Sequence, residues 1–508
     1  MRTSLNAVLP TRLNHPLIST FITTASAILL SACMTQAAVK PDDNMAQAAA
    51  GTMAQADAGT VAPAHHHLKD TNPASETKEY KLDNGMKIIV RPDHRAPVVV
   101  AQVWYKAGSS YEKNITGVAH LLEHMMFKGT KQYGPNEFSR IISENGGREN
   151  AFTGQDYTAY FQQLDKDRLD ISMKMEADRM ENLNLSADEF AKEIQVVMEE
   201  RRMRTDDKPT AQTLEQFMAA AYVNSPYHHP VIGWMDDLKH MSVSDAQDWY
   251  SHWYAPNNAT LVVVGDVEPA AVYEMAKKYY GPVKPKQVPK LRPQQEIPQH
   301  GLRRIIVKAP AQLPYLLMGY KVPVIKTAAT DWEPYAIEMM AYVLDGGDSA
   351  RFTKDLIRGS QVATSVGAGY DPHSRLSELF TLDGTPAQGH TVAELEQALR
   401  AQVDKLKNEL VSNDELDRFK TQIVASKVYE KDSIFYQAMQ IGTLETVGLD
   451  WRLMDQYVDR IRAVTPEQIQ QVARKYLVDD QLTIATLDPQ EIKMQTSMAG
   501  HGGMSHAQ

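Results

Sequence analysis

Ser242-Val243-Ser244-Asp245-Ala246 starts a proline-free stretch that runs to Tyr254; Pro256-Asn257-Asn258 breaks it, and Thr260-Leu261-Val262-Val263-Val264 follows. The pattern reads as a serine N-cap, a helix, a breaker and a β-branched apolar strand. The same order returns near the far end of the chain. Thr465 opens a helix to Leu477, Asp479-Asp480 breaks it, and Thr483-Ile484-Ala485-Thr486-Leu487 is the strand. The caps Ser242 and Thr465 keep the same spacing as the strand starts Thr260 and Thr483. A proline follows each block, at Pro269 and Pro489. Two unrelated helix–strand units have no reason to keep one offset, so the pattern reads as an internal repeat of about half the ordered chain.

The residues ahead of the first block supply the other elements of a half. Tyr80-Lys81-Leu82-Asp83-Asn84-Gly85-Met86-Lys87-Ile88-Ile89-Val90 reads as a hairpin about an Asn-Gly turn. Residues 98–106 form an apolar strand, and 136–144 a helix ended by Gly146-Gly147. Strands follow at 148–153 and 157–161, then amphipathic helices at 169–181 and 187–204. Between the repeats, Gly281-Pro282-Val283-Lys284-Pro285-Lys286-Gln287-Val288-Pro289-Lys290, continuing to Pro298, reads as an extended linker.

One helix carries chemistry. It lies in Thr116-Gly117-Val118-Ala119-His120-Leu121-Leu122-Glu123-His124-Met125-Met126-Phe127, with Thr116 as the expected N-cap. Helix positions i, i+3 and i+4 share a face, so His120, Glu123 and His124 project together. Two imidazoles one turn apart can grip one Zn²⁺, and a carboxylate beside them can take a proton from water on the metal. H-x-x-E-H is the inverted zincin signature. The plain alternative is a helix with two ordinary, partly buried His residues. Burying three titratable groups on an apolar helix costs free energy unless something pairs them, and a metal does that. The second half contains no H-x-x-E-H.

The chain has 508 residues, 43% of them hydrophobic, which suits at least two domains with sizeable cores. Lys and Arg number 53 against 63 Asp and Glu, and the formal charge of −10 gives no support for nucleic-acid binding. Cys33 is the sole cysteine, so no disulfide forms within the chain. Arg2 and Arg12, a mostly apolar run at 17–30 and Leu30-Ser31-Ala32-Cys33 together read as a secretory signal. Leu-Ser-Ala-Cys resembles a bacterial lipobox, which would make Cys33 the lipidated first residue of the mature chain. A plain signal peptide or an anchoring helix is the alternative, but the run is short and rich in Ser and Thr for a membrane span. Met34, not Asp, follows, which points to the outer membrane for the anchor and the periplasm for the body. Residues 34–77 are mainly Ala, Gln, Thr, Asp and Pro and read as a flexible tether. His65, His66 and His67 in the tether can bind metal loosely, as can His501 and His506 in the tail, but neither segment reads as a specific site.

Duplicated halves, a zinc motif in the first only and a Pro-rich linker together resemble the pitrilysin and mitochondrial processing peptidase family of zinc metallopeptidases, over about residues 78–490. The resemblance implies an α+β fold of two homologous sheet-plus-helix domains joined by the linker. It also implies one Zn²⁺ per chain, with a third ligand on a downstream helix in an E-x₆-E pattern. Glu193-Ile194-Gln195-Val196-Val197-Met198-Glu199-Glu200 fits, and Glu200 follows His124 at close to the family's interval. By that likeness Glu200 completes the site and Glu193 is a supporting carboxylate, with Glu199 the competing assignment. Glu123 is then the general base and later the proton donor to the leaving amine. Asn150 and Ala151 match the family residues that pair with a substrate docked as an added strand.

One departure stands out. Many family members carry an Arg and, seven residues on, a Tyr in the second half of the active unit. Here the stretch is Leu356-Ile357-Arg358-Gly359-Ser360-Gln361-Val362-Ala363-Thr364-Ser365-Val366; Thr364 aligns with the Tyr, and Ser365 is seven residues after Arg358. Tyr370 is a distant substitute. Some bacterial members divide the work, one chain bringing zinc and another the Arg/Tyr pair, and this chain resembles the zinc-bearing partner of such a heterodimer.

These readings divide the chain into a signal peptide (1–32), a lipidated Cys and tether (33–77), a zinc-bearing domain (78–281), a linker (282–299), a homologous domain without the motif (300–490) and a tail (491–508). The expected function is a periplasmic, lipid-anchored zinc endopeptidase acting on peptides or unfolded polypeptides as a dimer. A non-catalytic assembly subunit is the alternative. A zinc scavenger built on the His-rich segments is the third reading.

Overall fold

The structure is a computed structural model that describes residues 77–492 except Pro293. In the first half, β1 (Lys78–Lys81) and β2 (Lys87–Pro92) flank the Asn84-Gly85 turn, and β3 (Val98–Tyr105) follows. Then come α1 (Val118–Met125), α2 (Glu137–Glu144), β4 (Arg148–Thr153) and β5 (Thr158–Asp165). Helices α3 (Leu169–Asn182), α4 (Ala187–Arg201), α5 (Pro209–Ala221), α6 (Met235–His240) and α7 (Val243–Trp253) lead to β6 (Ala259–Gly265) and α8 (Pro269–Tyr280). The second half runs β7 (Arg303–Pro310), β8 (Tyr315–Val322), α9 (Glu333–Asp345), a π-helical turn (Phe352–Gly359), β9 (Ala363–Gly369) and β10 (Glu378–Pro386). It ends with α10 (Val392–Asn408), α11 (Asn413–Glu430), α12 (Ile434–Val447), α13 (Leu453–Ala463), α14 (Pro466–Tyr476) and β11 (Leu482–Gln490).

Among the described residues the strands form two mixed sheets, ordered β1-β2-β6-β3-β5-β4 and β7-β11-β8-β10-β9. The repeat read from the sequence is the frame of both. Strand β6 runs parallel to β2 and antiparallel to β3; β11 runs parallel to β7 and antiparallel to β8. Thr260 lies opposite Lys87 and Trp104, and its repeat mate Thr483 lies opposite Arg303 and Gly319. The capping boxes also repeat, Ser242 with Asp245 and Thr465 with Gln468. A reciprocal cap satisfies two orphan backbone donors, which is why both helices start where the sequence says.

Strand β3 reads Val-Val-Val-Ala-Gln-Val-Trp-Tyr and is buried at nearly every position. A strand apolar without alternation is covered on both faces. One face packs on its own half's helices; Leu121, Leu122, Met173 and Val197 share a core with Val99 and Val103. The other face is covered by the opposite half. Ile441 and Ala438 of α12 join Val100, Trp104 and Val262, while Phe217 and Ala221 of α5 join Leu317 and Ala485 of the second sheet. Helices α5 and α12 occupy matching places in the two repeats, starting at Pro209 and Ile434, so the two halves exchange equivalent helices.

The exchange is locked by two aromatic side chains. A Cβ on Gly442 of α12 would lie 2.0 Å from the Trp104 ring, and one on Gly319 of β8 would lie 2.6 Å from the Phe217 ring. Burying each ring contributes about 1.5–3 kcal/mol. The linker runs along the surface and is tied down. Asn84 donates to the carbonyls of Tyr280 and Val283, and Glu296 accepts from the backbone N–H groups of Val223, Asn224 and Ser225. No helix among the described residues is long and apolar enough to cross a membrane.

Candidate metal centre

Helix α1 starts differently from the expectation that Thr116 caps it. The cap is Gly117 at φ 88°, and no side chain of the cap residue bonds to the helix. Thr116 Oγ1 instead donates to Asp237 and accepts from the Trp234 N–H. The free helix N–H groups are met from upstream. Buried Glu112 accepts from Gly117 N at 2.9 Å and Ala119 N at 2.8 Å. Burial pushes the Glu112 carboxyl up to about 8, against the pull of those two bonds. Only glycine fits at 117, because a Cβ there would meet the Ile232 carbonyl at 2.6 Å.

Helix α1 packs on α4, and that contact assembles the cluster. One ligand atom from each of His120, His124 and Glu200 lies within 4.8 Å of the others. Glu200 Oε2 is 3.3 Å from His124 Nε2 and 3.8 Å from His120 Nε2. The second oxygen, Oε1, is held by Arg204 at 2.7 Å. His124 Nδ1 meets Glu193 Oε1 at 2.9 Å, and Lys128 holds the other Glu193 oxygen at 2.6 Å. Glu123 Oε2 accepts a 2.5 Å hydrogen bond from Thr153 Oγ1 of β4.

The electrostatics suit a cation. Burial pushes His120 down to about 3. Burial would lower His124 as well, but its pairing with Glu193 and Glu200 outweighs it and raises His124 to about 9. Glu200 would rise on burial, yet the pairing with His124 and the charges around it hold it at about 2. Burial pushes Glu123 up to about 7, partly countered by His124 and Thr153. The Glu193 and Glu200 carboxylates thus draw on His124, Lys128 and Arg204 together. Glu200 Oε2 is buried with no partner in hydrogen-bond geometry among the described residues, aimed between two imidazole nitrogens. Two His and one Glu with an unmet, buried acceptor fit a divalent ion such as Zn²⁺, with a coordination position to spare.

Glu199 is exposed and pairs with Arg202, so the helix face that meets α1 carries Glu200 instead. Asn150 and Ala151 lie on β4, an edge strand paired on one side only, by β5. Arg358 is exposed and pairs with Asp348, Thr364 bonds to the Thr385 carbonyl, and the Tyr370 hydroxyl donates to the Pro323 carbonyl. The helix read over 187–204 ends at Arg201, and a π-helical turn (Arg202–Asp206) follows it. Cys33, the tether histidines and the tail histidines lie outside the described residues. Sequence reading missed Glu112, Arg204 and Thr153. Only Thr153 left a signal, since it alternates with Ala151 and so shares its inward face.

The second half carries the same frame without the ligands. Helices α1 and α9, helix α2 and the π-helical turn, and strands β4 and β9 each start at one common offset, from 118 to 333, 137 to 352 and 148 to 363. His120, Glu123 and His124 thus fall on Tyr335, Glu338 and Met339. Matching α4 to α11 through their serine caps, Ser186 and Ser412, sets Glu193 and Glu200 on Phe419 and Ser426. Only Glu338 keeps its type, and it accepts from the Tyr457 hydroxyl at 2.6 Å.

A duplicated α+β frame that holds, among the described residues, one two-His, one-Glu cluster places the chain among proteins of metallopeptidase type. Residues 87–233 match the family model for insulinase (peptidase family M16), and residues 240–423 match that for the peptidase M16 inactive domain. The chain belongs to the M16 peptidase family. The zinc protease PqqE of Helicobacter pylori is 32% identical over 420 residues, which cover 80% of this chain and 92% of that one. A probable mitochondrial-processing peptidase subunit beta of Arabidopsis thaliana is 24% identical, over 84% of this chain and 80% of its own. The crystal structure of a protease from Helicobacter pylori superposes with a TM-score of 0.77 at 30% identity, covering 82% of this chain and all (100%) of that one. The periplasmic protease PqqL from Escherichia coli shares the fold, with a TM-score of 0.69 at 19% identity over 82% of this chain and 48% of that one.

Proposed function

We propose that the chain is a zinc-dependent endopeptidase that hydrolyses peptides or unfolded polypeptides. The observation that carries this reading is the His120–His124–Glu200 cluster, with His120 and Glu200 buried and His124 nearly so, and with Glu123 beside it, held by Thr153. Zn²⁺ held by those three residues supplies Lewis acidity, acidifying water and polarising a carbonyl. Glu123 takes the proton of the attacking water as the oxygen bonds to the scissile carbonyl carbon. Glu123 then returns the proton to the amine nitrogen as the C–N bond breaks. Thr153 keeps one Glu123 oxygen occupied, which leaves the other to face the water. Glu193 anchors the His124 ring through Nδ1 and so fixes which nitrogen faces the metal. The open edge of β4, with Asn150 and Ala151, offers main-chain pairing to an extended substrate, which reads backbone more than side chain.

The departure at Thr364 motivates a second element of the proposal. The chain works as the zinc-bearing member of a dimer, with an Arg/Tyr-bearing homologue as partner. Cys33 carries the lipid that holds it to the outer membrane, with the body in the periplasm and no nucleic-acid partner. A non-catalytic assembly subunit is the competing reading, favoured by the same missing Tyr.

The test is hydrolysis of a mixed library of unstructured peptides by the chain starting at Met34, beside Glu123→Gln, with and without an Arg/Tyr-bearing homologue. Wild-type cleavage that falls about 10²–10⁴-fold in Glu123→Gln is expected. Cleavage that appears only with the homologue identifies the partner. No cleavage in either arm contradicts the peptidase reading.

A further inference from the structure

The hairpin that carries Thr153 is clamped by the opposite half. Residues 154–157 form the turn between β4 and β5, closed by Gly154 N donating to the Tyr157 carbonyl at 2.8 Å. Part of its first-half support is backbone. Ser109 N donates to the Gly154 carbonyl and Ser110 N to the Gln155 carbonyl, over a Gly108 with no room for a Cβ. Asp156 points from this turn into a buried pocket and accepts from Ser110 Oγ at 2.7 Å and from the Tyr227 hydroxyl. Its charge is met from the second half. Arg375, between β9 and β10, donates to Asp156 from Nε at 3.0 Å and from its backbone N at 2.9 Å. The same guanidinium reaches Ser110 Oγ at 2.8 Å and stacks over the Tyr111 ring at 4.5 Å. Leu376 N adds a bond to the Tyr227 hydroxyl.

We propose that Arg375 is a positioning residue for the Glu123 carboxylate, acting through Asp156, the 154–157 turn and Thr153; this rests on the peptidase reading above. The physical chain is short. A carboxylate as buried as Asp156, at 4% exposure, needs its cation. Without Arg375 the turn relaxes toward water. Thr153 is the residue immediately before that turn, and its hydroxyl is what fixes Glu123. Thr153 is also braced by Thr158, 3.4 Å away, whose hydroxyl is tied to the Ala107 carbonyl at 2.8 Å, so the hairpin moves as a unit. The half that lacks the metal ligands thereby still shapes the site of the other. The arrangement explains why a loop from the second half places a half-buried cation against a strand end in the first.

The test compares zinc-loaded full chain with Arg375→Ala, Arg375→Met, Arg375→Lys, Thr153→Val and the Arg375→Met/Thr153→Val double variant. Met keeps the stem over Tyr111 without the charge. The readouts are kcat and KM on an internally quenched peptide that the wild type cleaves, bound zinc, and amide exchange across residues 148–163. Arg375→Ala and Arg375→Met should lose about 10- to 100-fold in kcat, with KM and bound zinc unchanged and faster exchange in the hairpin. Arg375→Lys should recover part of the loss, and the double variant should be no slower than Thr153→Val alone. An unchanged kcat in Arg375→Met, losses that multiply in the double variant, or unchanged exchange across 148–163 would overturn the proposal. If the wild type cleaves nothing even with the Arg/Tyr-bearing homologue, the peptidase reading fails, and the exchange result still decides the coupling.

Discussion

The two halves share a frame and differ where chemistry and packing are decided. At matched places on α1 and α9, His-x-x-Glu-His stands against Tyr335, Glu338 and Met339. On the matched helices α4 and α11, Glu193 and Glu200 stand against Phe419 and Ser426. The first half gathers two imidazoles and a carboxylate that could hold a cation; the second fills that space with ring and thioether and keeps one carboxyl. A second difference is reciprocal. Trp104 of β3 matches Gly319 of β8, and Phe217 of α5 matches Gly442 of α12. In one interface the strand supplies the bulk and the helix the gap; in the other the roles are exchanged. The backbone frame thus tolerates a change of chemistry at one place and of packing at another, provided each large group keeps a small partner.

The largest expected effects break the packing half of that comparison. Trp104→Ala and Phe217→Ala should each cost about 3–5 kcal/mol, read as a lower urea midpoint. Gly442→Phe alone should be as damaging, because Trp104 already occupies the space. Trp104→Gly with Gly442→Phe copies the second interface into the first. It should recover part of the loss that either change causes alone; fully additive losses would mean that the match is coincidental.

A smaller effect sharpens the chemical half. Burial pushes the Glu338 carboxyl above its ordinary 4.5, so the folded chain holds that proton longer than the unfolded one. Its contribution therefore weakens as pH rises above the unfolded value, and Gln removes the dependence. Glu338→Gln should leave melting unchanged near pH ~5 and raise it by a few degrees near pH ~8. Glu123→Gln, the same substitution at the matched place, should instead cut turnover about 10²–10⁴-fold. A loss of turnover in Glu338→Gln would mean that the second half takes part in the chemistry directly.

The frame and the motif were legible because both rest on local rules. The paired blocks announce themselves through caps, breakers and β-branched runs, and His120, Glu123 and His124 through helical spacing. Glu193 and Glu200 needed a family likeness, since an acidic helix face is usually only solvated. What stayed hidden is non-local. No spacing tells α5 and α12 to cover each other's sheets, because an apolar helix face does not say which sheet it meets. Thr116 looked like a cap, but Asp237, far along the chain, takes its hydroxyl, and Glu112 does the capping. Arg375 and Asp156 lie in opposite halves and carry no pattern that joins them.

The most direct test of the account is bound zinc per chain, measured by elemental analysis on the wild type, Glu123→Gln, His120→Phe and Glu200→Gln. One zinc in the first two and a large loss in the last two is the predicted result. Zinc retained by His120→Phe and Glu200→Gln, or none in the wild type, would contradict the claim that α1 and α4 together build a metal site beside Glu123.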